Sequence, residues 1–429
     1  MQPLPGFRDF LPNDCAFRNA IFARWREVCR GYGFVEWDAP VLEPTELYTK
    51  KSGPEIVGQL FNFTDKGERE VAMRPELTPS IARVVAAHER EFRKPLKWFS
   101  IPQCFRYEKQ QRGRLREHYQ LNCDLIGDAS LGADVEIIGL CIDLLRAFGL
   151  GEDDFVVRVS DRRAWIDYLS NEGVALTDET TTGILSVIDK LDRTDPSKAD
   201  RDLRVFGTSL ETVRKLLTFP EDYFDGFNRM RRELVARGIG RYVRITPGIV
   251  RGLTYYTGFV FEVFDKAEKF RAIAGGGRYD NLVHQLSDGA ASLPAVGFAM
   301  GDVVLGELIS EVPAAAERMA ESVKQTNDLD LYLVIAKEER RENALSQLQQ
   351  LRDAGWRVDF PLAPAKVGKQ FQTAEALGAK VTLLYGDEWP LVKMKTLATR
   401  KESLVPQEEI FDRLAERFAE LREARAARP

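Results

Sequence analysis

Residues 104–127 read CFRYEKQQRGRLREHYQLNCDLIG and hold two strand patterns around a basic loop. A strand alternates its side chains between two faces. Over Cys104 to Glu108 that period puts Cys104, Arg106 and Glu108 on one face and Phe105 and Tyr107 on the other. On the return, His118, Gln120, Asn122 and Asp124 point one way, and Tyr119, Leu121, Cys123 and Leu125 the other. The pair predicts a sheet with an apolar back and a polar, charge-bearing front, suited to a zwitterionic or polyphosphate ligand. The loop between them, Lys109 to Glu117, carries Lys109, Arg112, Arg114 and Arg116 and is too long and too charged for a tight turn. It reads either as a solvated hairpin or as an arm reaching for an anion.

Outward from this hairpin the chain alternates helix and strand signals. Phe17, Ile21, Trp25 and Val28 are at helical spacing, and Gly31 to Gly33 close that run. VAMRPELTPSIARVVAA, residues 71–87, predicts a strand entering a helix, with Thr78 as cap and Pro79 just inside. Val135, Ile138, Cys141, Leu145 and Phe148 form one stripe of a core helix stopped by Gly149. Residues 170–240 lose the strand alternation and read as a helical insertion between two halves of one sheet domain. Strand signals resume at Val243, and Pro313 to Asp328 turns Ala-, Glu- and Lys-rich, a linker of helical character. Beyond it LYLVIA, WRVDF and KVTLLYG alternate with helices in βαβαβ order and a final amphipathic helix follows, a small α/β domain. The expected boundaries are 1–325, with the insertion at about 170–240, and 326–429.

The chain has 429 residues and a formal net charge of −5, so RNA contact has to come from local basic stretches rather than the global balance. Five cysteines without a CxxC pair and three histidines argue against a structural metal site and fit a reducing cytosol. The opening MQPLPGFRDFLP lacks a basic stretch followed by an apolar run, and no long hydrophobic span follows, which predicts neither secretion nor membrane insertion.

Three further clusters carry chemistry. In Arg74-Pro75-Glu76-Leu77-Thr78 an acid and a hydroxyl lie two residues apart, able to meet an ammonium group or only to cap a helix. In Arg251-Gly252-Leu253-Thr254-Tyr255-Tyr256-Thr257-Gly258 two tyrosines on a strand would point to opposite faces, one to a pocket and one to the core. In Ala274-Gly275-Gly276-Gly277-Arg278-Tyr279-Asp280 three glycines precede a helix from Asp280 to Leu286, a costly choice that makes sense where side chains would collide with a ligand or a crossing strand. Neither GxGxxG in a βαβ unit nor GxxxxGK[ST] is present. Arginines and acids around an open sheet favour phosphoryl or nucleotidyl chemistry.

GFRDFLP, MRPELTPS, FRYEKQQRGRLREHYQLNCDLIG, RGLTYYTGFVFE, AGGGRYDNLV and AVGFAMGD, in this order, resemble the motifs of histidyl-tRNA synthetases of class II over nearly the full length. The resemblance implies an α+β fold: an antiparallel catalytic sheet flanked by helices with a helical insertion, and a C-terminal α/β anticodon-binding-like domain. It implies ATP-dependent ligation of L-histidine to tRNA(His) through histidyl-adenylate, in a cytoplasmic homodimer joined through the Pro40 region, with Mg2+ carried by the nucleotide and no metal held by the protein.

By the same resemblance Glu76, Thr78 and Gln120 would hold the α-ammonium of histidine, and Asp124 with Tyr255 or Tyr256 would read its imidazole. Arg106 would bridge the histidine carboxylate and the α-phosphate, and Arg251 would stabilise the pentacovalent phosphorus. Glu108 and Tyr119 would seat adenine, Arg114 would take the distal phosphates, and Lys109, Gln110, Gln111 and Arg112 would reach the acceptor end of the tRNA. Three positions depart from the pattern: Val304 replaces the adenine-stacking arginine of motif 3, Thr254 a common aspartate, and Lys109-Gln110-Gln111 the usual Arg-Pro-Gln. The rival is the histidine-sensing regulatory subunit of ATP phosphoribosyltransferase, which shares the catalytic fold but typically lacks the C-terminal domain.

Overall fold

The structure is a computed structural model describing residues 1–52, 58–109, 111–219, 225–251 and 255–426. Gln110 and Thr254 therefore lie outside the described residues. The chain divides into two compact units, Met1–Phe10 with Arg18–Met319, and Leu11–Phe17 with Ala320–Pro429.

In the first unit a nine-stranded sheet runs in the order Val35–Glu36, Leu96–Ser100, Glu117–Ile126, Ala295–Gly301, Ala274–Arg278, Phe259–Asp265, Phe155–Asp161, Val243–Ile245. The ninth strand, Gln103–Phe105, pairs with the start of Glu117–Ile126. Only the two outermost pairings are parallel. Glu117–Ile126 is the longest strand because its two-residue period never breaks: Leu121, Cys123 and Leu125 are buried on one side while polar residues face the other. Gln103–Phe105 is shorter than its sequence pattern predicts. Beyond Phe105, Arg106 N bonds the Arg116 carbonyl and Tyr107 N the Gln59 carbonyl rather than continuing a ladder.

Helix Leu131–Arg146 packs on the sheet with its apolar stripe buried, and its last predicted member, Phe148, lies just past the helix end. Gly149 follows at φ +89°, the left-handed stop that glycine supplies. Thr78 corrects the sequence reading: the helix is Thr78–Ala87, Leu77 is its N-cap, and Thr78 is its first residue rather than its cap. Between the two halves of the sheet, helices Asp178–Asp189, Pro196–Val205, Leu210–Leu217 and Asp225–Ala236 form the helical insertion. Trp165 anchors its cluster with Ile184, Leu203 and Val213, and burying a side chain of that size contributes on the order of 2 kcal/mol.

In the second unit, strands Val358–Asp359, Leu331–Ile335 and Val381–Tyr385 are parallel, as the βαβαβ pattern predicts. Two antiparallel strands, Leu391–Thr396 and Glu402–Pro406, extend them to a five-stranded sheet that the sequence reading did not include. No described helix is long and apolar enough to cross a membrane.

Candidate active site

A cavity of about 430 Å³ opens on the polar face of the first unit's sheet. Its lining includes Glu76, Thr78, Arg106, Glu108, Arg114, Gln120, Asp124, Arg251, Tyr255 and Tyr256. These residues come from four separate stretches of sequence, and the sheet order is what gathers them. Phe105 N donates to the Arg74 carbonyl at 2.9 Å, which lays the RPELT segment beside the 104–127 hairpin, and Arg106 Nε donates to the Pro75 carbonyl at 3.0 Å. Glu76 is buried, and burial pushes its carboxyl up while Arg106 and Arg251 both pull it down, so one carboxylate senses both guanidinium groups. Tyr255 Oη donates to Glu76 Oε2 at 3.5 Å.

Arg251 is held from several sides. Its Nη1 is 3.4 Å from Glu262 Oε1, its guanidinium carbon lies 5.7 Å from the centre of the Tyr256 ring, and its φ is +49°. A non-glycine residue in the left-handed region carries strain of about 1 kcal/mol or more, which persists only where the surroundings over-determine it. Arg162 supplies that constraint, donating to the carbonyls of Val250 at 3.0 Å, Tyr256 at 2.9 Å and Arg251 itself at 2.5 Å. Below the guanidinium runs the glycine strand. A Cβ on Gly275 would lie 1.3 Å from Arg251 Nη1, so the bare backbone of that position is the floor on which the arginine rests. The glycine run thus sits inside strand Ala274–Arg278 rather than just ahead of a helix, which begins only at Leu282.

Deeper in the cavity Asp124 is 2% exposed, and burial raises its carboxyl to about 7. Tyr279 donates to Asp124 Oδ1, while Oδ2 has no hydrogen-bond partner among the described residues. Room for that carboxylate exists because Gly297, on the neighbouring strand, lacks a side chain: a Cβ there would come within 2.3 Å of Oδ1. An orphaned, buried carboxylate oxygen is a costly group to leave unpaired unless a donor arrives from a ligand.

Several placements differ from the sequence reading. Tyr119 does not line the cavity: its ring packs 6.1 Å from Phe10 and 5.1 Å from Phe22, on the opposite face of the strand, which corrects its assignment to the adenine seat. Its neighbour His118 does line the cavity, and burial lowers the His118 imidazole to about 3, leaving it neutral. Tyr255 and Tyr256 are not on a strand and do not diverge: they precede strand Phe259–Asp265, both line the cavity, and their rings are 4.9 Å apart. Asn122 accepts a bond from Gln120 Nε2 at 2.8 Å and is not part of the lining. Lys109 and Gln111 are exposed and outside the lining. Arg112 is drawn to Glu311 at 3.1 Å and over the Phe270 ring at 5.1 Å. Glu108 pairs with Arg114 across the base of the loop. Val304, which the resemblance sets at the motif 3 arginine position, is buried in the lining.

The N-terminal arm closes the base of the same hairpin. The Gly6 carbonyl accepts from Arg116 N at 3.0 Å, and Phe7 packs 5.8 Å from Phe61. Arg8 bridges Glu117 at 2.6 Å and Asp302 at 3.0 Å. Among the described residues no group of three or more His, Cys, Asp or Glu is placed to hold a metal ion.

An antiparallel-rich sheet flanked by helices, with an arginine-lined cavity on its polar face, is the architecture of the class II aminoacyl-tRNA synthetases. The histidyl-tRNA synthetase family model matches residues 6–302 and an anticodon-binding domain model matches residues 330–417; the chain belongs to the histidyl-tRNA synthetase family. It is 42% identical to a histidine–tRNA ligase of Opitutus terrae over 95% of this chain and 97% of that one. It is 35% identical to a chloroplastic/mitochondrial histidine–tRNA ligase of Arabidopsis thaliana, over 94% of this chain and 84% of that one. The crystal structure of histidyl-tRNA synthetase from Nostoc sp. PCC 7120 superposes with a TM-score of 0.74 over 97% of this chain and 99% of that chain at 22% identity, a likeness of fold.

Proposed function

We propose that this protein joins L-histidine to tRNA(His) in two steps: histidine attacks the α-phosphate of ATP to give histidyl-adenylate and pyrophosphate, and the histidyl group then passes to the terminal ribose of the tRNA. One observation carries the reading: Arg106, Arg251, Glu76 and Asp124 share a single cavity whose charges fit the two ends of an amino acid and a phosphate between them. In this reading Glu76, Thr78 and Gln120 receive the α-ammonium, and the unpartnered Asp124 oxygen accepts the imidazole N–H beside Tyr255 and Tyr256. Arg106 and Arg251 bracket the α-phosphate, where preorganised donors stabilise charge that builds in the transition state. Glu108 lies at the adenine end and Arg114 at the distal phosphates. With Glu108 paired to Arg114 and Glu262 to Arg251, Mg2+ travels on the nucleotide's phosphates rather than in a protein cage.

We place the catalytic domain at residues 1–325, with the insertion at about 170–240, and the anticodon-binding domain at 326–429, and the site of action in the cytoplasm. That second domain, supported by the family match at residues 330–417, favours the ligase over the regulatory subunit of ATP phosphoribosyltransferase. Purified protein is expected to catalyse histidine-dependent exchange of labelled pyrophosphate into ATP. Histidine binding without exchange would instead support the sensor.

A homodimer through the Pro40 region fits the exposed apolar residues Val35, Val41, Leu42 and Phe63: Val35 lies on an edge strand, Val41 just ahead of strand Leu42–Pro44, and Leu42 and Phe63 on outer strands of the three-stranded sheet. Sedimentation equilibrium is expected to give twice the chain mass of 48.6 kDa, and V41E/L42E to dissociate it. A wild-type monomer at micromolar concentration would remove the dimer.

A further inference from the structure

Three arginines gather along the cavity lining: Arg106, Arg114 and Arg271. The first two have partners, Arg106 in the Pro75 carbonyl and Arg114 in Glu108. Arg271 lines the cavity, is exposed to it, and has no hydrogen bond or ion pair among the described residues. The acids of the lining are otherwise engaged: Glu262 faces Arg251, while Glu76 and Asp124 face the two tyrosine hydroxyls of Tyr255 and Tyr279. Burial lowers the Arg114 guanidinium below its usual range, and the charges of Arg271 and Arg106 push it further in the same direction. Like charges crowded at one wall mark a place built for a polyanion.

The turn that carries Arg271 is fixed although its side chain is not. Lys269 N and Phe270 N donate to Asp265 at 2.9 and 3.0 Å, and Lys269 Nζ reaches Glu311 at 2.8 Å. On the other side Ile273 N bonds the Val263 carbonyl at 2.8 Å and the Ile273 carbonyl accepts from Gly301 N at 3.3 Å. That last bond sets the Arg271 turn beside the start of helix Asp302–Glu311. The first turn of this helix offers the cavity Val303 and Val304, and its Asp302 is spent on Arg8. A Cβ on Gly113 would stand 3.1 Å from Val304 Cγ2, so the basic loop closes over that valine and leaves little room for a longer side chain there. The cation at this wall comes from the neighbouring turn.

We propose that Arg271 contacts the nucleotide directly, meeting the terminal phosphates of ATP together with Arg114. This rests on the cavity being the ATP site of the proposed ligase. A charge-assisted bond to phosphate at a partly exposed wall is worth about tenfold in affinity. Titration calorimetry of the full chain with ATP and with AMP, on wild type, Arg271→Ala and Arg271→Lys, separates the outcomes.

The Ala variant is expected to bind ATP about tenfold more weakly, with AMP affinity and melting temperature unchanged, and the Lys variant to recover most of the loss. Unchanged ATP affinity in Arg271→Ala would overturn the proposal, as would equal weakening of ATP and AMP, which would put the arginine on the adenine or ribose instead. Wild-type protein that binds ATP but lacks histidine-dependent exchange would defeat the ligase reading and leave this one standing; wild type that binds no ATP would defeat both.

Discussion

Arg251→Ala is expected to lose histidine-dependent pyrophosphate exchange by about 10³-fold while keeping the circular dichroism spectrum and solution mass of the wild type. The size follows from where the guanidinium sits. It rests on the bare backbone of Gly275, faces the half-buried Glu262 carboxylate, and is held by a loop whose carbonyls are bound by Arg162. A donor fixed this firmly needs no reorganisation as charge develops on phosphorus, and removing one such donor elsewhere costs about 10²–10³ in rate. Arg251 also pulls on the Glu76 carboxylate, second to Arg106, so the proposed ammonium pocket loses part of its balance with it. The fold survives because Glu262, whose carboxyl burial already raises, can take up a proton when its partner goes. Exchange within about tenfold of wild type would remove Arg251 from the chemistry.

Asp124→Asn is expected to cut kcat/KM for histidine by about 10²–10⁴ with little change in the KM for ATP. The wild-type carboxylate offers an unpartnered oxygen to a ligand N–H, and an amide turned to accept from Tyr279 would present a donor there instead. Because burial raises this carboxyl to about 7, wild-type KM for histidine should climb as pH falls through 7, beyond the change owed to the substrate's own imidazole; the variant should lack the added step.

Stability supplies an independent check. A carboxyl whose folded value lies above its unfolded one favours folding at low pH, and that contribution is lost as pH rises from about 4 through 7. Asp124→Asn should therefore melt higher than wild type at pH 8 and about level with it at pH 4. Equal melting differences at both pH values, or a histidine KM within about threefold of wild type, would contradict the assignment.

Much of this site was legible in the sequence because strands report their faces. The alternation His118, Gln120, Asp124 against Leu121, Cys123, Leu125 needs no partner to be read, and it placed both the cavity wall and the core. The same alternation already put Tyr119 on the apolar side, so its ring against Phe22 follows from the period and the adenine role given to it does not.

Tyr255 and Tyr256 broke the rule because the chain has not yet entered its strand there. Strand Leu391–Thr396 had a readable signal too: Val392, Met394 and Thr396 are buried and Lys393 and Lys395 are not. The sequence reading passed from KVTLLYG straight to the final helix and left this alternation unread. Arg162 and Arg271 were beyond reach, since nothing near them in sequence marks them, and Glu262, though it closes the quoted RGLTYYTGFVFE stretch, shows no sign there of its pairing with Arg251. Arg162 acts on carbonyls 88 to 94 residues away, and Arg271 is defined by the lack of a partner.

The arm around Gly6 to Arg8 ties the order of synthesis to the order of assembly. Arg8 leaves the ribosome among the first residues, yet its partners Glu117 and Asp302 emerge far later, the second only once nearly all of the first unit's sheet has been translated. Until then the arm can rest on Phe61, Arg116 and Glu117 but lacks its tie to Asp302. A nascent or truncated chain ending short of Asp302 would hold the hairpin with one of the two carboxylate partners of Arg8 missing, so the last latch of the base arrives together with completion of the sheet, rather than strand by strand.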